Sequence, residues 1–324
     1  MKVVVTDSTF PTLAIEQAIL SAAGVELIGG QCKTRDDLRA LVADADAVIT
    51  QFAPVDSEVI AAMARARVIV RYGIGVDNVD LDAARERGIP VCNVPDYCID
   101  EVADHTLAFL LATTRQVLTN ATCIRQGKWG LATPIDRMFA LRDLTVGVVG
   151  FGRIGREVTA RLRAFKCRVL VHDPLVPAAE IERSGCVAAD LPTLFAESDA
   201  ITLHCPSTNQ TRGMLDRQAF GRMKPGVILI NVARGDLVDS AALTEALQEG
   251  RVSAAALDVF APEPIPLDHP IRAMENVIVS SHIASASIPA AHKLRTTAAT
   301  LALAAIRGEP LFSVVNGVTN GREP

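Results

Sequence analysis

The chain has 324 residues, a formal net charge of −5, 49% hydrophobic and 21% charged residues. That length is about twice a usual domain, and the apolar share is ample for sizeable cores, so two globular domains are expected. The mild acidity has no basic block beside it, which argues against nucleic acid or an anionic membrane surface as partner and for a small molecule.

Seven cysteines at positions 32, 92, 98, 123, 167, 186 and 205 form an odd set without CxxC pairing. They read as buried thiols in a reducing, cytoplasmic setting, and no metal site is expected. The N-terminus starts directly with the strand-like Lys2-Val3-Val4-Val5, unlike a signal peptide, and no apolar run approaches a membrane span.

From Met1 to about Val94 short apolar runs alternate with helical patterns. Strands are expected at 3–5, 25–28, 47–50, 68–70 and 90–93, with helices at 11–23, 34–43, 57–64 and 81–87. Such alternation builds a parallel sheet with helices on both faces. The loop after the fourth run, Arg71-Tyr72-Gly73-Ile74-Gly75-Val76-Asp77-Asn78, lies where open α/β sheets bind ligands, and its glycines would bring N–H groups close to an anion. A plain turn capped by Asp77 and Asn78 would account for the same residues. A turn-rich crossing, Asn93 to Cys98, leads into a helix over 101–116, so the first domain junction is placed near residue 100. His105 in that helix reads as a structural histidine. A second helix near 119–126 precedes Trp129, the only tryptophan, expected to be a packing anchor.

The stretch Thr145 to Asp173 carries the strongest local signal. Val146, Val148 and Val149 end in Gly150-Phe151-Gly152-Arg153-Ile154-Gly155, and a helical pattern with Val158, Leu162 and Phe165 follows. Val169 to Val171 then delivers Asp173, 18 positions after Gly155. This is the strand, glycine turn, helix and acid of a dinucleotide site: the glycines allow a tight turn and close backbone approach, and the helix N-terminus offers N–H groups to a pyrophosphate. Asp173 would accept hydrogen bonds from a ribose diol and repel a 2′-phosphate, which favours NAD over NADP. Further strands are expected at 200–204, 227–232, 254–259 and 277–280, with a long Ala-rich helix from Ile288 to Ile306. Two α/β halves make the cleft between them the natural place for a substrate.

The strand ends of the second half supply chemistry for hydride transfer. Arg234 would hold a carboxylate through two parallel N–H bonds. His282, with an ordinary pKa of about 6.5, suits proton exchange with a carbonyl oxygen. Glu263 would pair with it, orient its ring and favour imidazolium. Asp258 would orient the nicotinamide amide, brace its loop or cap a turn. Each also has a plain structural role open to it; their joint placement favours catalysis.

Residues 71–80 (RYGIGVDNVD), 147–155 (GVVGFGRIG), 231–239 (NVARGDLVD), 257–264 (LDVFAPEP) and 276–284 (NVIVSSHIA) resemble the successive blocks of the D-2-hydroxyacid dehydrogenase family. The resemblance implies an α/β fold of two Rossmann-like or flavodoxin-like domains with parallel sheets, the NAD-binding domain (100–285) inserted in a substrate domain (1–99 and 286–324). It implies that Arg234 binds the substrate carboxylate, His282 is the acid/base, Glu263 supports it, and Arg71, Tyr72, Gly73 and Ile74 bind substrate, with the Gly73 and Ile74 N–H groups on the carboxylate. Cofactor contacts fall to Gly150, Gly152, Arg153, Ile154, Gly155, Asp173, Cys205, Pro206, Thr211, Val232, Ala233, Asp258 and Ala284. The expected activity is NAD(H)-dependent interconversion of a 2-oxo acid and a D-2-hydroxy acid by a homodimer. Three departures stand out: Ser281 replaces a common proline, Ile74 replaces a polar residue of phosphoglycerate dehydrogenases, and their regulatory C-terminal domain is not expected here. Residues 94–104 (VPDYCIDEVAD) are similar to bacterial proteins grouped with the C-terminal binding proteins, so an NADH-sensing corepressor-like protein is the rival expectation. A formate dehydrogenase is disfavoured, because that branch pairs its histidine with Gln.

Overall fold

Five short apolar runs, β1 (Lys2–Val5), β2 (Glu26–Gly29), β3 (Ala47–Thr50), β4 (Ile69–Arg71) and β5 (Val91–Cys92), pair in parallel in the order β2-β1-β3-β4-β5. In this computed structural model, which describes residues 1–318, they form the sheet of one compact unit, Met1–Tyr97 together with the chain from Ser287 onward. Residues Val3, Val4 and Val5 are all fully buried because helices cover both faces; hence the runs are continuously apolar instead of alternating. The covering helices are α1 (Ala14–Ser21), α2 (Arg35–Val42), α3 (Ser57–Ala62), α4 (Leu81–Glu86) and, from the far end of the chain, α12 (Ile288–Arg307).

Local signals set the helix starts. Thr34 and Asp37 form a reciprocal capping box, and Asp56 and Asp80 accept N–H bonds from the first turns of α3 and α4. Ser287 caps α12, which stops at Gly308 with φ +70°. Along one face of the sheet Leu294, Ala298, Leu301 and Ala302 of α12 pack in one core with Val3, Val5, Ile49 and Val70.

The second unit, Cys98–Ala286, lies between the two segments of the first in sequence. Its seven parallel strands are β6 (Thr145–Val149), β7 (Arg168–His172), β8 (Val187–Ala188), β9 (Ala200–Leu203), β10 (Val227–Asn231), β11 (Val252–Leu257) and β12 (Val277–Val279), ordered β12-β11-β10-β9-β6-β7-β8. From β6 the chain winds outward through β7 and β8, then returns to lay β9 on the other side of β6. Strand order reverses there, and in such sheets a crevice opens at the carboxyl ends. The helices are α5 (Ile99–Thr114), α6 (Val117–Arg125), α7 (Arg153–Ala164), α8 (Ala178–Arg183), α9 (Leu191–Glu197), α10 (Arg217–Arg222) and α11 (Ser240–Gln248). Arg161 of α7 grips Asp100 (2.6 Å) and Asp104 (2.8 Å) of α5, locking the two helices together.

Two expectations need correction. Trp129 is no packing anchor: it is 95% exposed, and α6 before it buries no residue. β8, absent from the sequence-based strands, is only two residues long and leaves no periodic signal.

Candidate active site

β6 ends at Val149, and Gly150 turns the chain at φ +100°. A Cβ on Gly150 would lie 2.7 Å from the His204 carbonyl carbon and the Cys205 nitrogen, and one on Gly155 would lie 2.1 Å from the Gly150 carbonyl oxygen. Both glycines are therefore demanded by the protein's own packing. Gly152 differs, because a Cβ there would meet nothing within 4 Å. No neighbour among the described residues requires a glycine at that position, which leaves the space open to a close ligand. Gly152 is also the N-cap of α7, with no side-chain cap, no acid in the first turn, and exposed Arg153 at the first helical position. The positive end of a helix dipole disfavours a cation unless an anion joins it, so these groups fit a pyrophosphate.

Asp173 sits beside this turn. Its carboxylate accepts from the Phe151 N–H (2.7 Å) and the Leu175 N–H (2.9 Å), which fixes it at the end of β7 with lone pairs left for a ribose diol. Cys205 and Pro206 follow β9, and the Thr211 hydroxyl donates to the Pro206 carbonyl (2.6 Å). Burial pushes the Cys205 thiol up to about 11, so it stays a neutral lining group. Val232 and Ala233 follow β10, Asp258 follows β11 and Ala284 follows β12. Every expected cofactor residue thus lies at one rim of this unit.

Asp258 is wholly buried. One carboxylate oxygen accepts from the Ile283 N–H (2.9 Å) and the Ser280 hydroxyl, the other from the Ala284 N–H (2.8 Å), and its carbonyl accepts from the His282 N–H (2.7 Å). Of the roles open to it, bracing the loop is the one its geometry performs. His282 has φ +56°, a left-handed conformation that non-glycine residues keep only where surroundings over-determine it. The Asp258 bonds do so.

The His282 Nδ1 lies 2.8 Å from a Glu263 carboxylate oxygen, whose other oxygen accepts from the Phe260 N–H (2.9 Å). A carboxylate only accepts, so Nδ1 carries the proton and Nε2 is the ring nitrogen that can exchange one with a substrate. Burial works to raise the Glu263 carboxyl, but the bond and charge of His282, the Phe260 amide and the Arg234 guanidinium outweigh it and hold the group below its ordinary range. Arg234 is placed by its neighbours. Its Nη1 donates to the Ala233 carbonyl (2.7 Å), and buried Asn231 grips both the Arg234 carbonyl (2.8 Å) and the Ala233 N–H (3.1 Å). A Cβ on Gly235 would fall 2.0 Å from the Phe260 carbonyl carbon, so the arginine loop packs directly on the loop that holds Glu263. The structure thereby brings Arg234, Glu263 and His282 together.

The other four expected site residues lie in the first unit, Arg71 as the last residue of β4 and Tyr72, Gly73 and Ile74 directly after it. Arg71 is buried, donates to the Tyr72 carbonyl (2.8 Å) and stands 6.0 Å from the centre of the Phe52 ring. Gly73 is held at φ +150°, a conformation that L side chains rarely adopt, and a Cβ there would fall 1.2 Å from the Arg71 guanidinium and oblige it to move. Two expectations fail here. Tyr72 does not face a substrate; it is 1% exposed, and its hydroxyl donates to buried Glu16 (2.8 Å). Burial, and then the Glu16 carboxylate, raise its phenol. The Gly73 N–H turns back to the Arg71 carbonyl (2.9 Å), whereas the Ile74 N–H meets no acceptor among the described residues. Ile74 is thus the amide available for an anion.

Residues 107–284 match the family model for the D-isomer specific 2-hydroxyacid dehydrogenase, NAD binding domain. The chain belongs to that family. It is 40% identical over 293 residues to D-3-phosphoglycerate dehydrogenase of Mycobacterium tuberculosis, covering 88% of this chain and 54% of that protein. It is 37% identical over 278 residues to glyoxylate reductase of Korarchaeum cryptofilum, covering 85% of this chain and 84% of that one. The chain therefore spans about half the length of the phosphoglycerate dehydrogenases it matches. The solved D-lactate dehydrogenase of Aquifex aeolicus, complexed with NAD and lactic acid, superposes with a TM-score of 0.86 at 28% identity, covering 95% of this chain and 96% of that one.

For this member of the dehydrogenase family, sequence reasoning missed Phe52, 44% exposed beside Arg71 at the end of β3, although the strand-end rule that found Arg71 points to that loop too. It also missed the engagement of Ser280 with Asp258.

Proposed function

We propose that this protein interconverts a 2-oxo acid and a D-2-hydroxy acid with NAD(H). The observation that carries this is the His282 ring held by an ionised Glu263 beside Arg234, on the rim that also bears the glycine turn. When bound, the nicotinamide donates or accepts the hydride. Arg234 clamps the carboxylate with its planar fork, already fixed by the Ala233 carbonyl. His282 Nε2 gives a proton to the oxo oxygen during reduction and takes it back during oxidation. Glu263 keeps the ring in one tautomer and stabilises its protonated form. Ile74 offers an N–H to the acid, and Arg71 with Phe52 supports recognition of its side group, a second anionic group suiting the guanidinium. Asp173 supports NAD over NADP by charge.

We infer also a cytoplasmic homodimer. Val117, Leu118, Ile124, Trp129, Leu131 and Ile135 form an apolar run, each at least half exposed, of the kind that a second subunit covers. All seven cysteines are unpaired thiols, as suits a reducing compartment. No helix among the described residues is long and apolar enough to cross a membrane.

Mixing the protein with NADH and glyoxylate, hydroxypyruvate, pyruvate, 2-oxoglutarate and phosphohydroxypyruvate should bleach the nicotinamide absorbance with at least one acid. Silence across the panel with tight NADH binding retained overturns the enzymatic assignment in favour of a sensor. His282→Ala should abolish turnover and spare NADH binding.

A further inference from the structure

Behind the acid/base pair a second line of hydrogen bonds reaches His282 from α5. The His105 ring is set edge-on against Phe109 (centroids 4.3 Å apart, 66° between planes), and its Nε2 lies 3.4 Å from the Ser280 hydroxyl oxygen. That hydroxyl donates to Asp258, since a carboxylate can only accept. Its single proton is thereby committed, so the remaining bond must run from His105 Nε2–H to the serine oxygen. The donor order is His105 to Ser280 to Asp258. From Asp258 the line continues to the Ile283 and Ala284 N–H groups, the two amides directly after His282.

We propose that His105 and Ser280 are positioning residues for the reaction: by holding the Asp258 carboxylate in one rotamer they fix the backbone of residues 282–284 and so aim the His282 ring. The inference rests on His282 as the acid/base. A non-glycine residue rarely keeps a positive φ by itself, so the left-handed turn at His282 depends on bonds made around it. The Ser280 N–H is tied to the Leu257 carbonyl (3.0 Å) and the His282 N–H to the Asp258 carbonyl. These main-chain bonds locate the segment but do not set the rotation of the Asp258 side chain. Among the described residues the Ser280 hydroxyl, itself steered by His105, is the one side chain that joins the two amides on that carboxylate. Without it one oxygen loses a donor, the carboxylate turns, and the amides after His282 are released together. A shift of about 1 Å in an acid/base group costs up to about 100-fold in rate.

The test uses the full chain with the best 2-oxo acid of the panel. Ser280→Ala and His105→Ala should each lower kcat about 10-fold or more, with the acid's KM unchanged within about twofold and the NADH Kd changed by clearly less than kcat. Ser280→Thr keeps the hydroxyl, and His105→Gln places an amide N–H where Nε2–H stood; both should recover most of the loss. Unchanged kcat in the alanine variants overturns the proposal, as does a loss that the conservative variants do not recover and that NADH affinity shares. If Ser280→Ala fails to fold, His105→Ala carries the same comparison. His282→Ala is measured alongside. Turnover surviving there refutes the acid/base assignment itself, whereas its loss combined with normal Ser280 and His105 variants refutes the positioning role alone.

Discussion

Replacing Glu16 by alanine should destabilise the first unit more than the loss of any one hydrogen bond there. Glu16 is fully buried on α1. One of its oxygens accepts from the Tyr72 hydroxyl (2.8 Å) and Arg295 Nε (2.7 Å), the other from Arg295 Nη2 (2.6 Å). Without it, Arg295 keeps only the Thr12 carbonyl (2.5 Å) and the face of Phe10 (4.8 Å) around a guanidinium whose side chain is 10% exposed. Removing one partner of a buried ion pair costs about 3–5 kcal/mol, and the orphaned phenol adds about 1–3, not additively; a total near 4 kcal/mol is expected. For a domain of this size each kcal/mol moves Tm by about 3–5 °C, so Tm should fall by roughly 12–20 °C. Both tyrosines, Tyr72 and Tyr97, belong to this unit, so near-ultraviolet dichroism of tyrosine follows its melting. Glu16→Met combined with Arg295→Met removes both charges and should recover most of the loss. If the double variant melts as low as Glu16→Ala, or the single variant falls by less than about 3 °C, an uncompensated buried charge is not the cause.

Gly152→Ala should fold with unchanged Tm yet bind NADH more weakly, by fluorescence titration, because its Cβ meets open space. Gly155→Ala should lose about 1–3 kcal/mol of stability from the clash with the Gly150 carbonyl. Arg234→Lys should raise KM for the acid about 10-fold or more while leaving NADH affinity alone, since an ammonium cannot reproduce the fork. Glu263 has a depressed carboxyl, so its stabilisation is present above its unfolded pKa and lost as pH falls through the lower folded one. Glu263→Gln should therefore flatten the acid limb of the pH–stability profile, read by denaturant melts across the carboxylate range.

The rim at which these residues meet was legible because hydride chemistry needs few residue types and parallel sheets place them at strand ends. Gly150, Asp173, Arg234 and His282 each stand at the end of an apolar run that is visible in the sequence. Tyr72 was not legible. Its partner Glu16 is 56 positions away, and Arg295 lies 279 positions from Glu16, so nothing local distinguishes a tyrosine facing a ligand from one facing an acid in the core. Trp129 failed for the opposite reason: hydrophobicity says that a residue prefers cover without saying which surface supplies it. Gly73 shows a third limit, because the number of amides in a glycine loop is visible in sequence but their prior engagement is not.

The return of α12 to the first unit has a consequence for biogenesis. Leu294, Ala298, Leu301 and Ala302 complete a core begun by Val3 and Val5, yet residues Cys98–Ala286 are translated in between. At about 5–20 residues per second, the face of the first sheet emerging from a ribosome waits roughly 10–40 s for its cover. The nascent chain thus departs from a simple vectorial order, because the whole inserted unit is synthesised before the leading segment receives its last helix.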